Sequence, residues 1–177
     1  MSNSIKPNEV LQLSAGAFIQ CVTKSLFSFV KAGSIKQHPA IFVIGQPGIG
    51  KSQSIKRIKD ELEILSEKEV VVTDVRLLLF NPIDLRGIPI ADYQEKTAIW
   101  LKPHIFKLNP SDDIINVLFL DELTSAPSSI QAAAYQIALD KQLGEHKLPD
   151  NTFVIAAGNR ADDYAVTYEM PSALKNR

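Results

Sequence analysis

The chain of 177 residues is 45% hydrophobic and 22% charged, as is usual for a soluble globular protein, and its length suits one α/β domain with a sizeable core. The formal net charge of −1 argues against a general binding surface for nucleic acids or anionic membranes. No apolar run approaches the roughly 20 residues that a bilayer span requires, and the one cysteine cannot form an internal disulfide. We therefore expect a cytoplasmic protein without a membrane segment.

The first helix is predicted over residues 8–32, where apolar side chains recur at helical spacing from Leu11 onward. Asn8 is expected to cap the start of this helix, and Gly33 to follow its end. Cys21 falls within the apolar pattern, and we expect it to fill the core rather than to act as a nucleophile.

A strand, a helix and a second strand are predicted next. Residues 40–44 are apolar throughout, as in a parallel strand that is covered on both faces. The helix is expected over residues 51–65, and four apolar residues mark its buried side: Ile55, Ile58, Leu62 and Leu65. The second buried strand is expected over residues 70–75.

Prolines and glycines break up residues 76–110, in which residues 97–106 resemble half of a hairpin. Two further strands are predicted over residues 116–122 and 152–159. The helix between them is expected over residues 127–139, with its proline in the first turn. Strands that alternate with helices predict an α/β fold with a mostly parallel sheet.

A glycine-rich segment, "GQPGIGKS" (45–52), lies between the first strand and the following helix. It fits the phosphate-loop pattern G-x-x-x-x-G-K-[S/T], in which backbone N–H groups and the helix start surround an anion. Lys51 would reach the β- and γ-phosphates, and the Ser52 hydroxyl would bind Mg²⁺. We expect nine residues to contact the nucleotide: Gly45, Gln46, Pro47, Gly48, Ile49, Gly50, Lys51, Ser52 and Gln53. The alternative is a glycine-rich turn beside a surface lysine.

Polar residues stand at the ends of the last two predicted strands. Asp121 and Glu122 follow the apolar run "VLFL", at the sheet edge where parallel sheets bind ligands. Asp121 is expected to support Mg²⁺ through a water, and Glu122 to orient or deprotonate the attacking water. Asn159 ends the strand "FVIAAGN" and is suited to orienting water, because its amide both donates and accepts. Two solvated acids and a turn asparagine are the alternatives.

Four segments, "GQPGIGKS", "LFLDE", "AAGN" and "MPSALKNR", resemble in order the Walker A, Walker B, sensor-one and arginine-finger elements of the AAA+ ATPases. The chain is most similar to the MoxR-like branch in its bacterial and phage form. "DLRGIP" (84–89), residues 120–160 and residues 166–177 carry that likeness, which extends from about residue 38 to the end.

The resemblance implies a P-loop NTPase three-layer αβα fold that binds and hydrolyses Mg-ATP. It makes Glu122 the catalytic acid, Asn159 the sensor and Arg177 a finger that reaches the γ-phosphate held by a neighbouring subunit. It further implies a homo-oligomer, hexameric when the lid is present, that drives chaperone-like remodelling or maturation of a protein client. A von Willebrand factor A-type partner often accompanies this branch, and no nucleic acid is expected.

The resemblance also implies a domain organisation. Residues 1–36 would form an N-terminal helix and link that pack on a nucleotide-binding domain over residues 37–177, with an insert over residues 76–106. "DLRGIP" and Trp100 are candidates for client contact, unless Trp100 only caps a core edge and Arg86 is a solvated loop charge. Because the sequence stops at Arg177, we expect the helical lid and its second sensor arginine to be absent.

Two other functions are weighed against this interpretation. Without a lid, the chain could be a nucleotide-binding or assembly module with little or no turnover. A switch GTPase or small-molecule kinase would use the same loop, but no guanine-specifying N-K-x-D is present, and "GNRADD" does not fit it. A nucleic-acid motor is disfavoured because no basic stripe is evident. Arg160 has two interpretations: a second arginine that reaches the nucleotide, or a surface charge of the loop.

Overall fold

Four α-helices and eight strands follow one another along residues 11–160, the part of the chain that this computed structural model describes. In chain order they are α1 (Ala15–Lys31), β1 (Ile41–Ile44), α2 (Lys51–Ser66), β2 (Glu69–Arg76), α3 (Pro82–Arg86), β3 (Ile88–Asp92), β4 (Thr97–Leu101), β5 (Ile114–Asp121), α4 (Ser128–Asp140), β6 (Gln142–Leu143), β7 (His146–Lys147) and β8 (Thr152–Gly158). Apart from the start of α1, the long strands and helices thus lie where the sequence predicts them, within two residues.

The central sheet has the strand order β1-β8-β5-β2, and every neighbouring pair in it is parallel. Ile44 is in register with Gly158, while Leu120 is in register with Ala156. The carboxyl ends of β1, β8 and β5 therefore lie side by side at one edge, where parallel sheets bind ligands. The predicted α/β fold with a parallel sheet is confirmed.

Helices cover both faces of this sheet. The apolar side chains of β5 alternate between the two faces, because successive residues of a strand point to opposite sides. Val117 and Phe119 join the core formed with α1 and α2, whereas Leu118 and Leu120 join the core formed with α4. These four side chains are at most 1% exposed, and each contributes roughly 1.5–3 kcal/mol by leaving water. The result is a three-layer αβα sandwich.

The first helix differs from its prediction in its start and in its buried face. It begins at Ala15, and the hydroxyl of its N-cap Ser14 accepts a hydrogen bond from the N–H of Ala17. Asn8 lies outside the described residues, while Leu11 precedes the helix and is 58% exposed. Gly33 follows the helix end with a φ of 61°, as expected.

The prediction that Cys21 fills the core is wrong, because its side chain is exposed. The buried stripe of α1 consists of four residues at helical spacing: Ile19, Val22, Thr23 and Leu26. Cys21 lies two residues from Ile19 and from Thr23, which places it on the opposite side of the helix. Helical spacing alone did not decide which side of α1 is buried. The contact with α2 buries the side that carries Ile19 and Leu26.

Three smaller predictions are also corrected. β1 is not covered on both faces, since Phe42 and Ile44 are 38% and 42% exposed. Leu65 is 46% exposed, because the buried stripe of α2 ends at Leu62. Pro127 is the N-cap of α4 instead of a residue of its first turn, and its extended backbone precedes the helix.

Two short antiparallel hairpins stand outside the central sheet. β3 pairs with β4, which confirms a hairpin within residues 97–106, although its strand ends at Leu101. β6 pairs with β7 in the segment before β8. Among residues 11–160, no helix combines the length and apolar character that crossing a membrane requires.

Candidate functional site

The glycine-rich segment forms the loop between β1 and α2. Gly48 and Gly50 have φ values of 76° and 89°, a backbone region that side chains disfavour. Because Gly50 is also the N-cap of α2, the free N–H groups and the positive end of the helix dipole face the loop. The N–H of Gly45 donates to the carbonyl oxygen of Gly158 at 3.2 Å, which joins the loop start to the end of β8.

Lys51, the first residue of α2, extends its amine across this loop. Its Nζ donates to the carbonyl oxygens of Gly45 and Gln46 at 2.8 and 3.1 Å. It also donates to Oδ1 of Asn159 at 2.8 Å, although 108 residues separate the two in the chain. The ammonium is therefore oriented by three oxygen acceptors at the carboxyl edge of the sheet.

Ser52 and Asp121 place two hard oxygen ligands side by side. The hydroxyl of Ser52 donates to Oδ2 of Asp121 at 2.9 Å. The other carboxylate oxygen of Asp121 accepts the backbone N–H of Glu122 at 2.9 Å, and Asp121 is only 8% exposed. Mg²⁺ prefers such oxygen donors and is usually held by one or two carboxylates together with substrate phosphates. The donor set therefore fits that ion.

Glu122 follows β5 with a left-handed backbone, at a φ of 59°. Its Oε2 accepts a hydrogen bond from Nδ2 of Asn159 at 3.1 Å. Because the amide oxygen of Asn159 already faces Lys51, both ends of this amide have a partner of matching character. The lysine, the asparagine and the glutamate thus form one hydrogen-bonded chain across the ends of β1, β8 and β5.

Nine residues line a pocket of about 220 Å³ at this point: Pro47, Gly48, Gly50, Lys51, Ser52, Gln53, Asp121, Glu122 and Asn159. Six of the nine predicted nucleotide contacts are among them. Gly45, Gln46 and Ile49 are not, although the first two contribute the carbonyls that hold the lysine. Arg177 lies outside the described residues, whereas Arg160 is described and exposed.

Two residues beside the site were missed by the sequence reasoning. Thr124 hydrogen-bonds to the backbone of Asn159, and no sequence feature distinguishes it from other loop threonines. Asp74 on β2 is the second. Burial raises the pKa of its carboxyl, the charge of Asp121 raises that pKa further, and Arg76 opposes both effects. An aspartate within the apolar run "VVVTDV" was a signal that could have found it.

A second cavity, of about 250 Å³, lies between the two hairpins and shares no lining residue with the first. The guanidinium of Arg86 lies over the ring of Trp100, 4.6 Å from its centre, so it is not a merely solvated loop charge. The backbone N–H of Trp100 donates to Oε1 of Glu145 at 2.8 Å. The predicted client-contact residues are thus packed against each other.

Comparisons with known proteins bear on the fold. No protein-family model and no curated protein sequence matches the chain. It is similar to the solved structure of PCH-2 from C. elegans, with a TM-score of 0.53 and 16% identity over 89% of this chain and 40% of that one. It is also similar to Trip13 from Rhizobiales, with a TM-score of 0.52 and 17% identity over 93% of this chain and 59% of that one.

The chain therefore spans about two fifths to three fifths of the length of these structures. At such low identity the likeness concerns the arrangement of strands and helices alone. It agrees with the parallel sheet and the helices that cover it. The chain shares with these two structures an α/β fold with a parallel sheet between helical layers.

Proposed function

We propose that this chain is the nucleotide-binding core of a Mg-dependent AAA+ ATPase. One observation carries the proposal. A lysine amine, a serine–aspartate oxygen pair, and a glutamate oriented by an asparagine meet in one pocket beside a phosphate loop. A surface turn would need none of these long-range contacts, which join residues up to 108 positions apart.

Nucleotide binding would rest on the loop and on Lys51. The loop N–H groups and the start of α2 attract the phosphates without any further charged residue. The amine of Lys51 is already aimed at the same space, so a β- or γ-phosphate oxygen would replace one of its present acceptors. Ser52 and Asp121 are the residues that would hold Mg²⁺, which would supply positive charge against that of the phosphates.

Hydrolysis would rest on Glu122 and Asn159. The carboxylate of Glu122 would accept a proton from the attacking water, while the amide of Asn159 holds that carboxylate in place. Transfer of the γ-phosphoryl group requires mainly positioning and charge neutralisation, which this arrangement provides. Arg177, which lies outside the described residues, would add positive charge to the nucleotide of a neighbouring copy. Turnover would then depend on assembly into a homo-oligomer, as a hexameric ring when a lid is present.

The finer proposal is a MoxR-like enzyme that remodels or matures a protein client in the cytoplasm, with a von Willebrand factor A-type partner. The order of the four motifs and the phrases around them support this branch. The segment over residues 76–106 would be its insert, and residues 1–36 an N-terminal helix and link packed on the core. The cavity between Arg86, Trp100 and Glu145 is the described surface on which such a client contact would centre.

The test combines ATP binding and phosphate release. Calorimetry with Mg-ATP is expected to show saturable binding, and phosphate release is expected to rise more than linearly with protein concentration. Glu122→Gln should keep the binding and lose about 10²–10⁴-fold in turnover, because the amide accepts no proton. Glu61→Gln, an exposed glutamate of α2, is the matched control and should behave as the parent.

The outcomes separate the candidate functions. No binding of ATP would contradict the proposal altogether. Binding without phosphate release, even at high protein concentration, would favour the module that binds nucleotide without useful turnover. Turnover that Glu122→Gln leaves unchanged would show that this glutamate does not accept the proton of the attacking water.

A further inference from the structure

Thr124 lies in the turn after β5 and clamps the backbone of Asn159. Its side-chain Oγ1 accepts the N–H of Asn159 at 2.8 Å and donates to the carbonyl oxygen of the same residue at 3.2 Å. One hydroxyl thus forms hydrogen bonds with both the N–H and the carbonyl oxygen of Asn159, which is 7% exposed. A buried N–H without a hydrogen-bond partner costs free energy, and the Thr124 hydroxyl removes that cost for Asn159.

The same side chain fits against the end of β8 by its shape. A Cβ added to Gly158 would lie 2.6 Å from Cγ2 of Thr124 and 3.0 Å from its Oγ1. Any side chain at Gly158 would therefore displace the threonine, and the threonine methyl fills the space that the glycine leaves. Hydrogen bonds and packing fix the two loops together at one residue.

The turn that carries Thr124 is itself fixed to α4. Gln131 is 1% exposed, and its Nε2 donates to the carbonyl oxygens of Ala126 at 3.0 Å and of Thr124 at 3.4 Å. Gln131 thus joins the turn that carries Thr124 to α4. Through Thr124, the backbone of Asn159 is therefore linked to α4.

We propose that Thr124 is a positioning residue for ATP hydrolysis, which acts by setting the backbone of Asn159 so that its amide meets Glu122 and Lys51. Thr124 does not line the nucleotide pocket, so its effect passes through Asn159. Because Nδ2 of Asn159 lies 3.1 Å from Glu122, a backbone shift of about 1 Å would break that contact, and shifts of this size cost on the order of 10²-fold in rate. The inference rests on the proposed function for its kinetic part.

The experiment compares Thr124→Val, which keeps the shape and removes the hydroxyl, with Thr124→Ser, which keeps the hydroxyl. In the full chain, Thr124→Val is expected to lower kcat roughly 10–100-fold with less than about threefold change in the Kd for Mg-ATP. Thr124→Ser should stay within about threefold of the parent kcat. Thr23→Val is the matched control, because Thr23 is buried in α1 and its hydroxyl has no partner among the described residues.

A second measurement is independent of turnover. Hydrogen exchange of the Asn159 backbone N–H, followed by NMR, should be accelerated in Thr124→Val and protected in Thr124→Ser. If Thr124→Val does not fold, Thr124→Ala replaces it in both measurements. Parent-like kcat in the valine variant, or equal exchange in both variants, would overturn the proposal. If the parent itself releases no phosphate, the proposed function fails, and the exchange measurement alone decides whether the clamp exists.

Discussion

The amine of Lys51 donates a hydrogen bond of 2.8 Å to the side-chain oxygen of Asn159, and this contact joins the first residue of α2 to the residue after β8. It makes the asparagine a bridge, since its Nδ2 donates to Glu122 at 3.1 Å. A phosphate that binds Lys51 would compete with Asn159 for the amine. Binding of phosphate in the loop would therefore change the contacts of the residue whose amide donates to Glu122.

Replacing Lys51 with methionine tests the binding half of this relationship. The variant keeps the length of the side chain and loses a charge-assisted hydrogen bond to phosphate, worth about 1.5–3 kcal/mol, so the Kd for Mg-ATP should rise roughly 10–100-fold. Calorimetry measures the change. Lys56→Met, at an exposed position of the same helix, should bind ATP as the parent does. An unchanged Kd in Lys51→Met would remove the lysine from the binding site.

Replacing Asn159 with aspartate tests the other half. The variant keeps an oxygen acceptor for Lys51 but turns the donor towards Glu122 into a second carboxylate oxygen, so the two acids repel. We expect kcat to fall about 10–100-fold, as for removal of a residue that orients a reacting group. Asn109→Asp is the control, because the side-chain oxygen of residue 109 accepts the N–H of Ser111 and aspartate keeps such an oxygen. Parent-like turnover in Asn159→Asp would contradict the orienting role.

Replacing Gly158 with alanine tests the fit between β8 and the turn after β5. The new Cβ would overlap Cγ2 of Thr124, so unfolding free energy should fall by about 1–3 kcal/mol, as for other overpacked cores. Thr124→Ser removes that methyl group, and the double variant should recover at least about 0.5 kcal/mol of the loss. Gly16→Ala is the control, since a Cβ there meets nothing within 4 Å. Strictly additive losses in denaturant unfolding would contradict the contact.

The sequence predicted the site's main residues because their position follows from the fold class. Asp121 and Asn159 stand at the ends of two apolar strands, and Lys51 follows the loop after a third; parallel strands bring those ends to one edge. The prediction required only the alternation of strands and helices together with local polar signals. Which side chains touch was not predictable, since the Lys51–Asn159 contact depends on strand order and register.

What the sequence missed depends on tertiary contacts that leave no local pattern. Thr124 packs against Gly158, which lies 34 positions away, so neither residue is informative alone. Cys21 occupies an apolar pattern with two possible helical phases, and only packing on α2 decides between them. The exposure of Phe42 follows from the place of β1 at an edge of the four-stranded sheet, which alternation of elements does not determine.

Lys141 makes the free energy of unfolding depend on pH in the alkaline range. Its Nζ donates to the carbonyl oxygens of Ile35 and Thr152, both at 2.9 Å, and burial lowers its pKa from 10.5 to about 8. Between these two pH values the unfolded chain binds more protons than the folded one, so this group makes stability rise with pH, by at most about 1.4 kcal/mol per unit. Denaturant unfolding should show this rise in the parent relative to Lys141→Met. Lys147→Met, at an exposed position, should track the parent.

His38 makes the free energy of unfolding depend on pH in the acid range. Its ring packs edge-on against Phe29 and Phe153, with centroids 4.7 and 5.0 Å away, and its Nε2 lies 3.1 Å from the hydroxyl of Ser25. Burial lowers the pKa of His38 below its usual 6.5; the backbone of Pro39 opposes this shift, and the charge of Lys141 adds to it. Below about pH 6.5 the unfolded chain therefore binds the proton first, and stability falls as the pH drops towards the folded-state pKa.

Replacement of this histidine isolates the effect. Between pH 7.5 and 5.0, His38→Gln should lose less unfolding free energy than the parent, because it has no ring to protonate, even if it is less stable at both pH values. The difference between the two proteins should narrow on acidification, by up to about 1.4 kcal/mol per pH unit. His104→Gln, at an exposed position, should keep the parent's pH dependence. A difference between parent and His38→Gln that stays constant down to pH 5.0 would show that His38 does not set the acid limit.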